Sequence, residues 1–123
     1  MPSRRILIVE DEPNIVESLR FILEQAGFVI DIVADGGSAL DRLREGDFQA
    51  VVLDVMLPGM NGFDVLRSIR ADGRTRETPV IVLTAKGQAN DRKTAEAIGA
   101  SAFITKPFSN AEVVERVREL SGA

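Results

Sequence analysis

The stretch "VVLDVMLPGMNG", Val51 to Gly62, runs as an apolar strand, stops on a carboxylate and breaks into a Pro and Gly loop. A buried strand gains nothing by ending on a charge. Asp54 is therefore either a solvated turn residue or a working group held at the rim of a sheet. Four more polar residues close apolar runs in the same way: Glu10 and Asp11 after "RILIV", Thr84 at the end of "VIVLT", and Lys106 after "AFIT". Taken singly, each has a plainer use. Glu10 or Asp11 could cap a helix, Asp54 could sit in a turn, Thr84 could simply end a strand and Lys106 could be a solvated surface charge.

Together these residues are suited to a narrow chemistry. Crowded carboxylates repel one another, and a hard divalent cation relieves the repulsion; Mg²⁺ prefers few protein oxygens, completed by waters and a phosphate. With that charge neutralised, one carboxylate can attack phosphorus and form an acyl phosphate. Thr84 can donate to a phosphoryl oxygen and Lys106 can pair with another. The loop carrying Pro58, Gly59 and Gly62 leaves a backbone carbonyl near Met56 to face the metal.

Five short apolar runs must position these groups: residues 5–9, 29–33, 50–54, 80–84 and 102–105. Most are β-branched and nearly continuous in hydrophobicity, the pattern of strands covered on both faces. Helical spacing fills the intervals. Ile15, Val16, Leu19, Ile22, Leu23 and Ala26 share one face of a first helix, with Pro13 in its first turn and Gly27 past its end. Ala39, Leu40 and Leu43 mark a second between Asp35 and Gly46, and Phe63, Leu66 and Ile69 a third that stops near Gly73. The fourth, from about Ala89 to Ile98, turns inward mostly Ala with one Ile, so little apolar area holds it down. In the fifth, Ser109 and Glu112 form a capping box ahead of Val113, Val114, Val117 and Leu120. Strict alternation predicts a parallel sheet with helices on both faces and right-handed crossovers. Ligands of open α/β sheets bind beyond the carboxyl ends of the strands, where all five polar residues fall.

The 123 residues are read as one domain, 1–123, with no linker or repeat. A net charge of −4 argues against nucleic-acid binding by this domain, which would need a basic patch. No apolar segment approaches the roughly 20 residues that cross a bilayer. The short "MPSRR" start argues against a signal peptide, and zero Cys suits a cytoplasmic location. Zero His means that any phosphohistidine chemistry must use a histidine on another molecule.

The motifs "LIVEDEP", "VVLDVMLPGMNG", "VIVLTAK" and "GASAFITKPF", in this order and spacing, resemble the receiver domain of two-component response regulators over essentially the whole chain. The resemblance implies a flavodoxin-like (βα)5 sandwich of strand order 2-1-3-4-5. It implies Asp54 as phosphoacceptor, taking a phosphoryl group from a partner histidine kinase or histidine phosphotransfer protein. It implies Mg²⁺ on Asp11, Asp54 and the Met56 carbonyl, with Glu10 assisting through water. Thr84 and Phe103 become the switch pair, and Lys106 the phosphate partner ahead of a cis Pro107. The output, a homodimer or a downstream effector, would use the fourth helix, fifth strand and fifth helix. Three departures stand out: Phe103 where many relatives carry Tyr, Ser101–Ala102 where charge-paired dimers of the family carry Asp-Asp, and Glu10–Asp11 in place of Asp-Asp.

Two other functions compete. A small aspartyl-phosphate phosphatase on a related fold wants a second Asp two residues after the nucleophile, where this chain has Met56, and the chain is too short for a substrate-covering cap. An unphosphorylated interaction module would predict loss of Asp54, Thr84 or Lys106, and all three are present. The expectation is a switch that modifies itself and does not turn over a substrate.

Overall fold

In the computed structural model, which describes residues 4–85 and 89–122, strand and helix alternate throughout. The elements are β1 (Arg5–Val9), α1 (Pro13–Gln25), β2 (Val29–Val33), α2 (Gly36–Glu45), β3 (Ala50–Asp54), α3 (Gly62–Ala71), β4 (Val80–Ala85), α4 (Ala89–Ile98), β5 (Ala102–Lys106) and α5 (Asn110–Ser121). The strands form one parallel sheet of order β2-β1-β3-β4-β5. This is the flavodoxin-like arrangement, whose order reverses between β1 and β3. Lys86, at the end of "VIVLTAK", lies outside the described residues.

The continuous hydrophobicity of the strands divides between two cores. Leu7, Val9, Val51, Leu53, Val80 and Val82 face Ala39, Leu43, Val65, Leu66, Ile69 and Ala95 of α2, α3 and α4. Ile6, Ile8, Ala50, Val52, Ile81, Leu83 and Ile104 face Leu19, Ile22, Leu23, Val113 and Val117 of α1 and α5. Successive strand residues point to opposite faces, so a sheet sandwiched between helices needs both parities apolar. Edge position relaxes this in β2, where Val29 is exposed and Asp31 accepts from Arg5 at 2.7 Å and from Arg42 at 3.0 Å. Among the described side chains of α4, only Ala95 is fully buried, with Ile98 half-buried.

Local chemistry sets the helix starts. Asp35 accepts from Ser38 N, Asn61 from Phe63 N and Ser109 from Glu112 N, each the side chain before a first helical turn. The last bond is one half of the expected capping box. Arg70 of α3 joins three segments: it donates to Thr78 O at 2.6 Å, to Gly99 O at 2.9 Å and to Ser101 Oγ at 3.3 Å. Ser101 Oγ also accepts from Val80 N at 3.0 Å, so Ser101 ties the start of β4 to the turn before β5.

Candidate functional site

β1 and β3 end side by side at the point where strand order reverses, and each delivers a carboxylate there. Asp54 is the last residue of β3 and is 2% exposed; Glu10 follows β1 directly and is 1% exposed. Asp11, next in the chain, is exposed. One oxygen from each of the three lies within 4.8 Å of the others. The capping role open to Glu10 or Asp11 falls instead to Glu12, whose carboxylate accepts from Ile15 N at 3.0 Å. Both earlier acids are thereby left for the cluster.

Lys106, at the end of β5, spans the strand ends and brings its Nζ to 3.0 Å from Asp54 Oδ2 and 3.3 Å from Glu10 Oε1. The other Asp54 oxygen accepts from Met56 N at 3.1 Å. Glu10 Oε2 accepts from the backbone N–H groups of Asp11 and Glu12, each at 3.1 Å. The Lys106–Pro107 peptide is cis.

The electrostatics follow from crowding. Burial, and after it a hydrogen bond to Asp54, push the Glu10 carboxyl up from 4.5 to about 7, against the opposing pull of the Glu12 N–H and Lys106. Burial alone would lower the Lys106 ammonium, but the hydrogen bond and charge of Asp54, with Glu10 adding to them, raise it above its ordinary value. Two buried carboxylates this close, one of them pushed upward by burial, make a pocket that a small divalent cation would relieve. Its all-oxygen donor set matches a hard ion such as Mg²⁺.

The β3–α3 loop is shaped by two glycines. Gly59 has φ +76°, the left-handed region. At Gly62 a Cβ would stand 2.5 Å from the Asp54 carbonyl oxygen and 2.6 Å from Val55 Cα, so only glycine lets α3 begin this close to the strand end. Met56, in the same loop, exposes its side chain to solvent. Beside the carboxylates, Asn14, Ile15, Ser18, Lys106, Pro107 and Phe108 line a mostly apolar hollow of about 480 Å³.

Glu10, Asp11, Asp54 and Lys106 are thus brought together at one sheet edge. Thr84 reaches the same edge, but its hydroxyl is engaged elsewhere: it donates to Asp91 Oδ2 at 2.7 Å. Phe103 is half-buried against the α2–α3–α4 core, with the Arg92 guanidinium 5.5 Å from its ring centre. Neither Asp91 nor Arg92 stands out in the sequence. An acid in the first turn of a helix reads as an ordinary partner of the helix dipole.

The chain resembles known proteins over nearly its full length. The profile of the response regulator receiver domain matches residues 6–118. The transcriptional regulatory protein TcrA of Mycobacterium tuberculosis is 47% identical over 118 residues, covering 95% of this chain and 46% of TcrA. The phosphate regulon transcriptional regulatory protein PhoB of Escherichia coli is 42% identical over 116 residues, 94% of this chain and 51% of PhoB. The chain therefore spans about half the length of these curated relatives. A putative response regulator from Chloroflexus aurantiacus superposes with a TM-score of 0.95 at 30% identity, covering 99% of this chain and 100% of that one. The receiver domain of sensor histidine kinase PA1611 from Pseudomonas aeruginosa, solved with a magnesium ion coordinated in its active site cleft, gives 0.91 at 30% identity, with coverage of 99% and 100%.

Proposed function

The chain belongs to the response regulator receiver domain family, and from that premise we propose that Asp54 accepts a phosphoryl group from the phosphohistidine of a partner kinase or phosphotransfer protein. An Asp54 carboxylate oxygen attacks phosphorus, the O–P bond forms, the P–N bond breaks, and the imidazole leaves and takes a proton. The observation that carries this reading is the placement of Asp54: a buried carboxylate at the end of β3, with Lys106 Nζ at 3.0 Å and two further acids beside it. Lys106 holds Asp54 in place and then pairs with a phosphoryl oxygen. The Met56 N–H fixes the rotation of the carboxylate by binding its other oxygen.

Asp11, Asp54 and the Met56 carbonyl are the residues to hold Mg²⁺, with Glu10 assisting through water. When bound, the ion would neutralise the carboxylates and the charge developing on the transferring group. The relative solved with magnesium in its cleft supports this assignment. The apolar hollow along α1 and the β5–α5 connection is the face a phosphodonor would cover.

Thr84 and Phe103 act as the switch. Phosphorylation adds charge and acceptor oxygens at Asp54; Thr84 turns its hydroxyl to one of them, and Phe103 moves inward. The output passes through α4, β5 and α5 to a second copy or a downstream effector. The protein is a cytoplasmic signalling switch, residues 1–123 forming its receiver, and not a turnover enzyme. Incubation with acetyl phosphate and Mg²⁺ should add one phosphoryl group to the wild type and none to Asp54→Asn. Undiminished labelling of that variant overturns the assignment.

A further inference from the structure

Thr84 is 2% exposed, and its hydroxyl donates to Asp91 Oδ2 at 2.7 Å. Asp91 stands in the first turn of α4, and its neighbour Arg92 lays its guanidinium over the Phe103 ring at 5.5 Å. Adjacent residues of one helical turn therefore engage both residues that the switch requires to move. A threonine hydroxyl carries one proton, so it cannot donate to Asp91 and to a phosphoryl oxygen on Asp54 at the same time. The bond to Asp91 is charge-assisted, which is the stronger class. Little else restrains this helix, since Ala95 is its one fully buried side chain among those described.

We propose that Asp91 is a positioning residue of the switch: a latch that holds Thr84 toward α4 and sets how tightly a phosphoryl group must engage before the output face is released. The proposal rests on the reading of Asp54 as phosphoacceptor and names the contact that phosphorylation has to break. When Thr84 turns to the phosphoryl oxygen, its proton moves with it and no covalent bond changes. Asp91 is left half-exposed in the first turn of α4, where a carboxylate is favoured by the helix dipole, so its release strands no buried charge. The first turn of α4 then loses its side-chain tie to β4. Arg92 steadies Phe103 from the same turn, so both restraints loosen together.

The test is a titration of the full chain with beryllofluoride, a phosphoryl mimic, in the presence of Mg²⁺. Wild type, Asp91→Ala, Thr84→Ala and the double variant are compared. Removing the latch should tighten mimic binding on the order of tenfold, the equivalent of one charge-assisted hydrogen bond that no longer has to be broken. In the Thr84→Ala background the Asp91 substitution should change nothing. Asp91→Asn, which keeps the size and an acceptor oxygen, should fall between wild type and Asp91→Ala, and it carries the test should Asp91→Ala fail to fold. No tightening in either Asp91 variant overturns the latch, as does an equal gain in the Thr84→Ala background. In both cases wild type still binds the mimic, so the phosphoacceptor reading stands; a folded wild type that does not bind it overturns both.

Discussion

Replacing Glu10 by Gln should make the metal-free protein more stable at pH 8 while changing little at pH 5. Burial, then the hydrogen bond to Asp54, raise the Glu10 carboxyl from 4.5 to about 7. In the unfolded chain the group loses its proton near its ordinary value; in the folded chain it keeps the proton until about pH 7. Between these values the folded state binds more protons than the unfolded, so stability must fall as pH rises. The contribution is fully present below about pH 4.5 and is lost as pH rises through about 7. At 1.36 kcal/mol per pKa unit, ionising Glu10 in place costs up to about 3 kcal/mol at pH 8. Gln is neutral at every pH and avoids that cost, while its amide oxygen still accepts from the backbone. Composition keeps the window clean. With no His and no Cys, no other side chain of ordinary pKa titrates between pH 5 and 8. Urea unfolding with a chelator present, in half-unit steps across that range, should show the wild-type midpoint falling toward pH 8 and the Gln variant nearly flat. The gap at pH 8 should reach about 2–3 kcal/mol. A flat wild-type profile, or a variant that follows it, would refute the claim that Glu10 holds its proton against Asp54.

The same raised carboxyl governs the metal: Mg²⁺ affinity, followed by calorimetry in buffers of different ionisation heat, should rise as pH passes through about 7, with proton release below it. In that titration Asp11→Ala should weaken binding more than Glu10→Ala, and the reverse ranking would contradict Asp11 as the direct ligand. Lys106→Ala leaves two buried carboxylates without their cation and should cost about 2 kcal/mol in metal-free urea unfolding at pH 8, with much of the loss restored by Mg²⁺. No loss would mean that the ion pair is idle. Gly62→Ala forces a Cβ against the Asp54 carbonyl and should destabilise by about 1–3 kcal/mol in thermal unfolding. An unchanged midpoint would show that the β3–α3 loop has slack.

All five strands could be placed from apolar, mostly β-branched runs bounded by turn residues, and their parallel direction followed from strict alternation with helices, while the order 2-1-3-4-5 came only from the resemblance to receiver domains. Their two faces were less legible. Val51 and Val52 look alike in the sequence, yet one packs beneath α2 and α3 and the other beneath α1 and α5. Glu10, Asp11, Asp54 and Lys106 were legible because each sits just past an apolar run, where a sheet edge had to be. The upward shift of the Glu10 carboxyl was not, since it comes first from burial and then from Asp54, against the pull of a lysine 96 positions away in the chain. Nor was the choice of Glu12 over its two acidic neighbours as the helix cap: Glu10 is buried with its Oε2 taken by the Asp11 and Glu12 N–H groups, and Glu12 is the one that accepts from Ile15 N. The engagement of Thr84 by Asp91 stayed hidden for a related reason. They stand seven positions apart, one in β4 and one in α4, and no local spacing rule pairs residues of a strand and a helix.

The residue that carries the phosphoryl group can be read out chemically. The protein is incubated with acetyl phosphate and Mg²⁺, the acyl phosphate is reduced with borohydride, and the peptides are sequenced by mass spectrometry. With Asp54 as phosphoacceptor, homoserine should be found at position 54 alone, and nowhere in Asp54→Asn. Homoserine at Asp11 or Asp91 with Asp54 unmodified would contradict it.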